Sequence, residues 1–340
     1  MVRSIVDAMQ NSAGIPLQRK MRGMMSNAKP QKVQGITRVD FAPINPKLKG
    51  LFFNIERELE RKAKENPGLS CFNRATVFLL VSTLSIYNCY ESILWLGSDK
   101  EETGKRPKNA LLTIPSITRT MIDNLFTVVF MFDQGKFLPN HVWYAKSFYR
   151  EAWEELQRYK NYFPQHEDYI KFFEENLQEH AEDIKKHLQV SDAELSNPSG
   201  LKYWPTLTQA IYPRNDTDYT LTPDCKKFFV WLNDRSYRNI SQIAHHSAWG
   251  VSKIGSFLLR NNLSKERQNR IDGIGIERLR SEQIFNAVTV LLCFATEINQ
   301  HYQLNHNADL LQIWKYLDNV PIIQEAWDVR YKQFLSPQLS

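Results

Sequence analysis

CFNRATVFLLVSTLSIYNCYESILWLG, residues 71–97, is the most hydrophobic stretch of the chain, and its reading decides the fold class. Only Arg74 and Glu91 are charged in it. A membrane-spanning helix needs roughly 20 mostly apolar residues. Here Ser82, Thr83, Ser85, Asn88 and Glu91 interrupt the run, which favours a central helix buried on all sides in a protein without a membrane span. Apolar residues at helical spacing continue on both sides. Upstream, 46–65 places Leu48, Leu51, Phe52, Ile55 and Leu59 on one face, with ERELERKAKE turned outward. Downstream, beyond the lysine-rich loop GSDKEETGKRPKN, residues 110–133 (ALLTIPSITRTMIDNLFTVVFMFD) predict a second buried helix, with Pro115 at its true start or kinking it.

Residues 140–187 read as two amphipathic, net acidic helices parted near Tyr162-Phe163-Pro164, and Leu195–Pro223 is rich in loop signals. Helix resumes at Asp224 and runs to about residue 260, with a break expected near Asp234–Ser236. A basic connector holding Gly273 and Gly275 precedes a last long helix at about 281–303, and two short helices, 308–318 and 321–334, close the chain. No strand pattern or repeat stands out. The expected architecture is all-α: a helical bundle with a buried four-helix core (about 71–97, 110–133, 224–260 and 281–303) and an outer layer of amphipathic helices inserted at about 140–222. Residues 1–45 are expected to be a weakly ordered basic arm preceding a single helical domain, 46–340.

The 340 residues, 42% hydrophobic and 24% charged, can bury a core without covalent staples. Cys71, Cys89, Cys225 and Cys293 are scattered with no C-x-x-C pair, which argues against a zinc site or a disulfide framework and for a reducing, cytoplasmic setting. The N-terminus lacks the apolar core of a secretory signal. Net charge is +6, and residues 1–35 carry six Lys/Arg against the single acid Asp7. The basic arm therefore suits an acidic partner or nucleic acid, whereas the remaining body is close to neutral.

No H-E-x-x-H, phosphate-binding glycine loop or G-x-S-x-G occurs, so neither a metal nor a cofactor is expected. The chemistry-bearing segment is the helix at 235–250. At about 100° per residue, one face presents Tyr237, Arg238, Ser241, His245 and Trp249, opposite Ile240, Ile243 and Ala244. A guanidinium binds phosphate through a fork of donors, and an imidazole exchanges protons near neutrality, a pairing suited to phosphodiester chemistry. Arg119 and Asp123 form an i, i+4 charge pair inside the second apolar helix. Such a pair is either an internal ion pair that fixes helix register, or it faces Tyr237, Ser241 and His245 and completes one buried polar site. Equally, the whole stripe, with Tyr237, His246 and Trp249 as packing residues, can be a satisfied polar seam of a bundle.

The string RNISQIAH, Arg238 to His245, resembles the Arg-polar-x(3–5)-His motif of the HEPN superfamily. The pairing of Arg119/Asp123 with Tyr237/Ser241/His245 resembles that of a set of uncharacterised bacterial helical proteins. HEPN domains are compact helical bundles, and many are metal-independent ribonucleases of bacterial toxin and phage-defence systems. The resemblance implies His245 as general base or acid, Arg238 stabilising phosphoryl charge, Asn239 and Ser241 orienting them, RNA as substrate and a homodimer. One departure is that a long helix follows the motif, whereas the family's motif sits near the start of the last core helix. The alternative is a non-catalytic regulatory or interaction module built on the acidic layer at 150–186.

Overall fold

A computed structural model describes residues 43–65, 70–97, 112–213, 219–244, 264–270 and 276–335. Among these residues the protein is all-α and holds no strand. The helices are α1 (Asn45–Glu65), α2 (Ser70–Gly97), α3 (Ile114–Phe132), α4 (Phe137–Tyr162), α5 (Glu167–Leu188), α6 (Asp192–Leu195), α7 (Leu207–Ile211), α8 (Pro223–Leu232), α9 (Arg238–Ala244), α10 (Lys265–Arg270), α11 (Ile276–Tyr302), α12 (Asn307–Tyr316), α13 (Pro321–Ala326) and α14 (Lys332–Leu335). The basic arm, the lysine-rich loop and much of the basic connector lie outside the described residues, as do His245, His246 and Trp249.

The core forms where α2, α3 and α11 pack against one another, with α1 on α2 and α9 on α3. Each helix supplies a fully buried apolar face: Leu48, Ile55 and Leu59 from α1, Leu79, Ile86 and Ile93 from α2, Met121, Leu125 and Val129 from α3, and Val288, Leu291 and Phe294 from α11. Removing each such side chain from water stabilises the fold by about 1.5–3 kcal/mol. Several polar atoms that enter this core have partners. The Tyr90 hydroxyl donates to Asn45 Oδ1 at 2.6 Å, Trp314 Nε1 donates to Thr296 Oγ1 at 3.1 Å, and the Thr76 and Tyr302 hydroxyls meet at 3.0 Å. The same core extends beyond the four expected helices, taking in α1, α12 and the C-terminal segment through Trp314, Tyr331 and Leu335.

Pro115 occupies the first turn of α3, where the absent N–H costs nothing, so it starts the helix and does not kink it. The expected break at Asp234–Ser236 is instead a π-helical turn, Asn233–Tyr237, that joins α8 to α9 without leaving the helix. The Arg238 N–H bonds the Asn233 carbonyl five residues back. A second π turn, Trp327–Tyr331, joins α13 to α14. The reading of α2 as buried on every side needs correction. Val77, Val81 and Leu84 are 39%, 57% and 40% exposed, because α1, α3, α4, α5 and α11 pack on α2 without covering these three side chains.

Helices α4 and α5 pack as a hairpin with a hydrophobic cluster of their own, in which Tyr149, Leu156, Leu177, Ala181 and Ile184 are buried. Ser191 starts α6 with a capping box, its hydroxyl accepting the Glu194 N–H while the Glu194 carboxylate takes the Ser191 N–H.

Candidate functional site

The π turn determines where the side chains of the candidate site point. It widens the helix by one residue, so three successive residues reach three different elements. Arg235 Nε pairs with Glu325 of α13 at 2.9 Å, the Ser236 hydroxyl donates to Asn286 Oδ1 of α11 at 2.7 Å, and the Tyr237 hydroxyl accepts from Arg119 Nη2 of α3 at 3.2 Å. These contacts fix the rotation of α9 against the core. Ile240 and Ile243 complete its buried face.

Arg119 is the hub on α3. Its Nε lies 3.5 Å from Asp123 Oδ2, and its guanidinium sits 5.3 Å from the centre of the Tyr237 ring. Arg119, Asp123 and Tyr237, predicted on two separate helices, thus meet in one cluster. The cluster lies at the edge of the core and is not enclosed by it: the Arg119 and Asp123 side chains are 21% and 47% exposed. The Arg119/Asp123 pair is therefore not the internal ion pair that an apolar helix suggests. Burial, and secondarily the Asp123 charge, push the Tyr237 phenol above its ordinary value against the opposing pull of Arg119, so it stays protonated at neutral pH.

Tyr237 and Arg238 do not share a surface. Tyr237 is buried against α3, whereas Arg238, about 100° further round, is exposed and makes no ion pair among the described residues. Ser241 falls between these edges and is half-buried. The predicted stripe is thus an arc, with Tyr237 at its inner edge and Arg238 at its solvent edge. The Asn239 side chain, His245 and His246 lie outside the described residues.

Arg119, Asp123 and Tyr237 line one side of an open cleft of about 270 Å³, with Tyr144, Glu151 and Trp204 opposite. These three were not singled out from sequence. The Ser147 hydroxyl, itself buried, donates to Glu151 Oε1 at 3.1 Å and accepts the Trp204 backbone N–H at 2.6 Å, locking the far wall. The i, i+4 spacing of Ser147 and Glu151 in α4 is the sequence signal for this lock, but nothing local indicates that residue 204 closes on it. Among the described residues no cluster of His, Cys, Asp and Glu has the makeup of a metal site.

A more deeply buried charge pair lies elsewhere among the described residues. Glu297 of α11 and Arg330 of the second π turn form a two-bond ion pair within the core, and His301 Nε2 approaches the Glu297 carboxylate at 3.6 Å. Its signal in the sequence is a lone acid in the apolar run AVTVLLCFATEIN. Cys225 and Cys293 are buried free thiols, both raised by burial, which suits inert packing residues.

Compared with protein-family models, with curated proteins and with solved structures, the chain matches none of them.

Proposed function

We propose that the protein is a metal-independent endoribonuclease of the HEPN type, acting in the cytoplasm. The observation that supports this reading is Arg238: an exposed guanidinium without an ion-pair partner among the described residues, on a helix pinned to the core by Tyr237 and Ser236. A cation held this way costs little to reorganise when a phosphate arrives. In the proposed reaction His245 takes the proton of a ribose 2′-hydroxyl as the oxygen attacks the adjacent phosphorus. The P–O5′ bond breaks and the departing 5′-oxygen takes a proton from water, leaving a 2′,3′-cyclic phosphate and a 5′-hydroxyl. Arg238 stabilises the charge gained by the phosphoryl oxygens, while Asn239 and Ser241 orient the reacting groups. The test is incubation of pure protein with total RNA in EDTA, wild type beside Arg238→Ala and His245→Ala. Cleavage by the wild type and its loss in both variants is expected. No cleavage, or cleavage indifferent to both substitutions, overturns the reading.

A second reading, a non-catalytic interaction module, is favoured by the tip of the α4–α5 hairpin. Tyr162, Tyr169 and Phe172 are exposed there, and Tyr159 packs against Phe163 and Tyr169 with centroids 5.1 and 4.7 Å apart. Large exposed aromatics gathered in one place mark contact surfaces.

A further inference from the structure

Two helices present matching faces to the cleft beside Arg119 and Tyr237. Arg119, Asp123 and Phe126 of α3 follow one another at steps of four and three residues, as do Tyr144, Phe148 and Glu151 of α4. Each trio therefore occupies one helical face, and all six residues line the cleft. Trp204 adds to the α4 side. Its ring meets that of Tyr144 at 87° with centroids 5.3 Å apart, which makes an aromatic corner. Phe148 supplies a further ring and stays 53% exposed. One hydroxyl sets a carboxylate against these rings, because Ser147 Oγ donates to Glu151 Oε1 and also accepts the Trp204 backbone N–H. Glu151 Oε2 is left without a hydrogen-bond partner among the described residues. Burial, and secondarily the Glu151 charge, raises the Tyr144 phenol, so its hydroxyl stays protonated beside that carboxylate.

We propose that this cleft binds a small organic cation, an ammonium group carried on a short, ring-bearing apolar stem, with Glu151 as its counter-ion. The charge of the described lining residues selects the sign. Arg119 stands against two acids, Asp123 and Glu151, and its Nε lies 3.5 Å from Asp123, so that pair offsets itself and the Glu151 charge remains. A carboxylate or phosphate entering the cleft would add to this charge, whereas an ammonium neutralises it and donates to Oε2. The rings select the stem. An aromatic face attracts a cation within about 6 Å of its centre and offers apolar area to the carbon atoms that carry it. Arg119 already makes such a contact in the same cleft, 5.3 Å from the centre of the Tyr237 ring. The volume of about 270 Å³ lies at the small end of ligand pockets, which run from roughly 300 to 1,000 Å³, and limits the occupant to about one ring and a short chain. Because Ser147 holds the carboxylate and the aromatic corner in place before a ligand arrives, binding requires little ordering of the wall. The site uses none of Arg238, Asn239, Ser241 and His245, and its test needs no RNA.

The experiment is a ligand-observed NMR titration of the full chain with four probes: benzylammonium, methylammonium, benzyl alcohol and benzoate. Melting curves confirm that each variant folds. Benzylammonium is expected to bind at least about tenfold more tightly than methylammonium, which lacks the ring, and than benzyl alcohol and benzoate, which lack the positive charge. Glu151→Gln keeps an acceptor for Ser147 and removes the charge. It is expected to weaken benzylammonium at least about tenfold and to leave benzyl alcohol unchanged. Glu155→Gln, an exposed acid one turn further along α4 and outside the cleft, is expected to leave both unchanged. No binding of benzylammonium, or binding without preference for it over the other three probes, overturns the proposal. So does affinity indifferent to Glu151→Gln, or an equal loss in Glu155→Gln, which would assign the binding to diffuse surface charge.

Discussion

Arg330 holds the fully buried carboxylate of Glu297 through two hydrogen bonds, Nε to Oε1 at 2.5 Å and Nη2 to Oε2 at 3.1 Å. The guanidinium also lies 5.4 Å from the ring centre of Phe228 and 5.2 Å from that of Phe334, so it joins α8, α11 and the C-terminal segment at one point. Taking two charges out of water is costly, and the fold recovers that cost only while both partners are present. Glu297→Met is therefore expected to lower stability by about 3–5 kcal/mol, the range for leaving one buried charge unpaired. Removing both partners with Glu297→Met/Arg330→Met is expected to cost clearly less than the sum of the two single substitutions. Urea midpoints of the four proteins measure this coupling. Strict additivity would show that the two groups do not depend on each other.

Acid acts on the fold in two steps that follow from burial. His141 is 6% exposed, and burial, with the Arg74 charge adding to it, lowers its pKa from 6.5 to about 4. His180 is lowered for the same two reasons. Because the native state keeps these rings neutral while the unfolded chain protonates them near 6.5, their contribution is fully present above that pH and is lost as pH falls toward 4. Burial alone would raise the Glu297 carboxyl, but Arg330 and His301 override it and hold the pKa at about 2, down from 4.5. That contribution is present above 4.5 and is lost between 4.5 and 2. Thermal unfolding is thus expected to weaken first between pH 6.5 and 4, by about 2 kcal/mol at pH 5 for His141, and more steeply below 4.5. His141→Phe, whose ring would keep the contact with Phe78, is expected to flatten the upper step and leave the lower one. An unchanged upper step would assign it to other groups.

The contrast between α2 and the π turns shows which parts of the fold the sequence carries. Helix positions follow from local periodicity, so α1 and α3 lie close to where their apolar spacing and Pro115 place them, while α11 ends as expected but starts at Ile276, ahead of the expected 281. A π turn has no such local signature. It adds one residue to the helix, and its stabilising contacts come from distant segments, such as Asn286 for Ser236 and Glu297 for Arg330. The same non-locality explains the site. Arg119 and Asp123 are visible as a charge pair in an apolar helix, and Tyr237 as a polar ring on another, but Trp204 and Ser147 close the cleft through a bond across 57 residues. The exposed face of α2 was obscured because Val77, Val81 and Leu84 on it are as apolar as the residues that face the core.

Arg235 and Arg238 provide an internal comparison for the proposed contact with RNA. They are three residues apart in one helical segment, but Arg235 is paired with Glu325 at 2.9 Å while Arg238 faces solvent without an acid among the described residues. A cation that neutralises a phosphate releases a counterion, and for single strands each such contact contributes about 0.7 to the slope of log affinity against log salt. Arg238→Ala is therefore expected to reduce that slope by about 0.7 and to weaken binding of single-stranded RNA most at low salt. Arg235→Ala is expected to leave the slope in place and to change stability by no more than about 1 kcal/mol, since both partners of its ion pair are more than two-fifths exposed. Fluorescence anisotropy with a labelled oligonucleotide over a salt series measures both. An equal loss of slope in the two variants would place the RNA on a diffuse basic surface, and no loss in either would remove Arg238 from the contact.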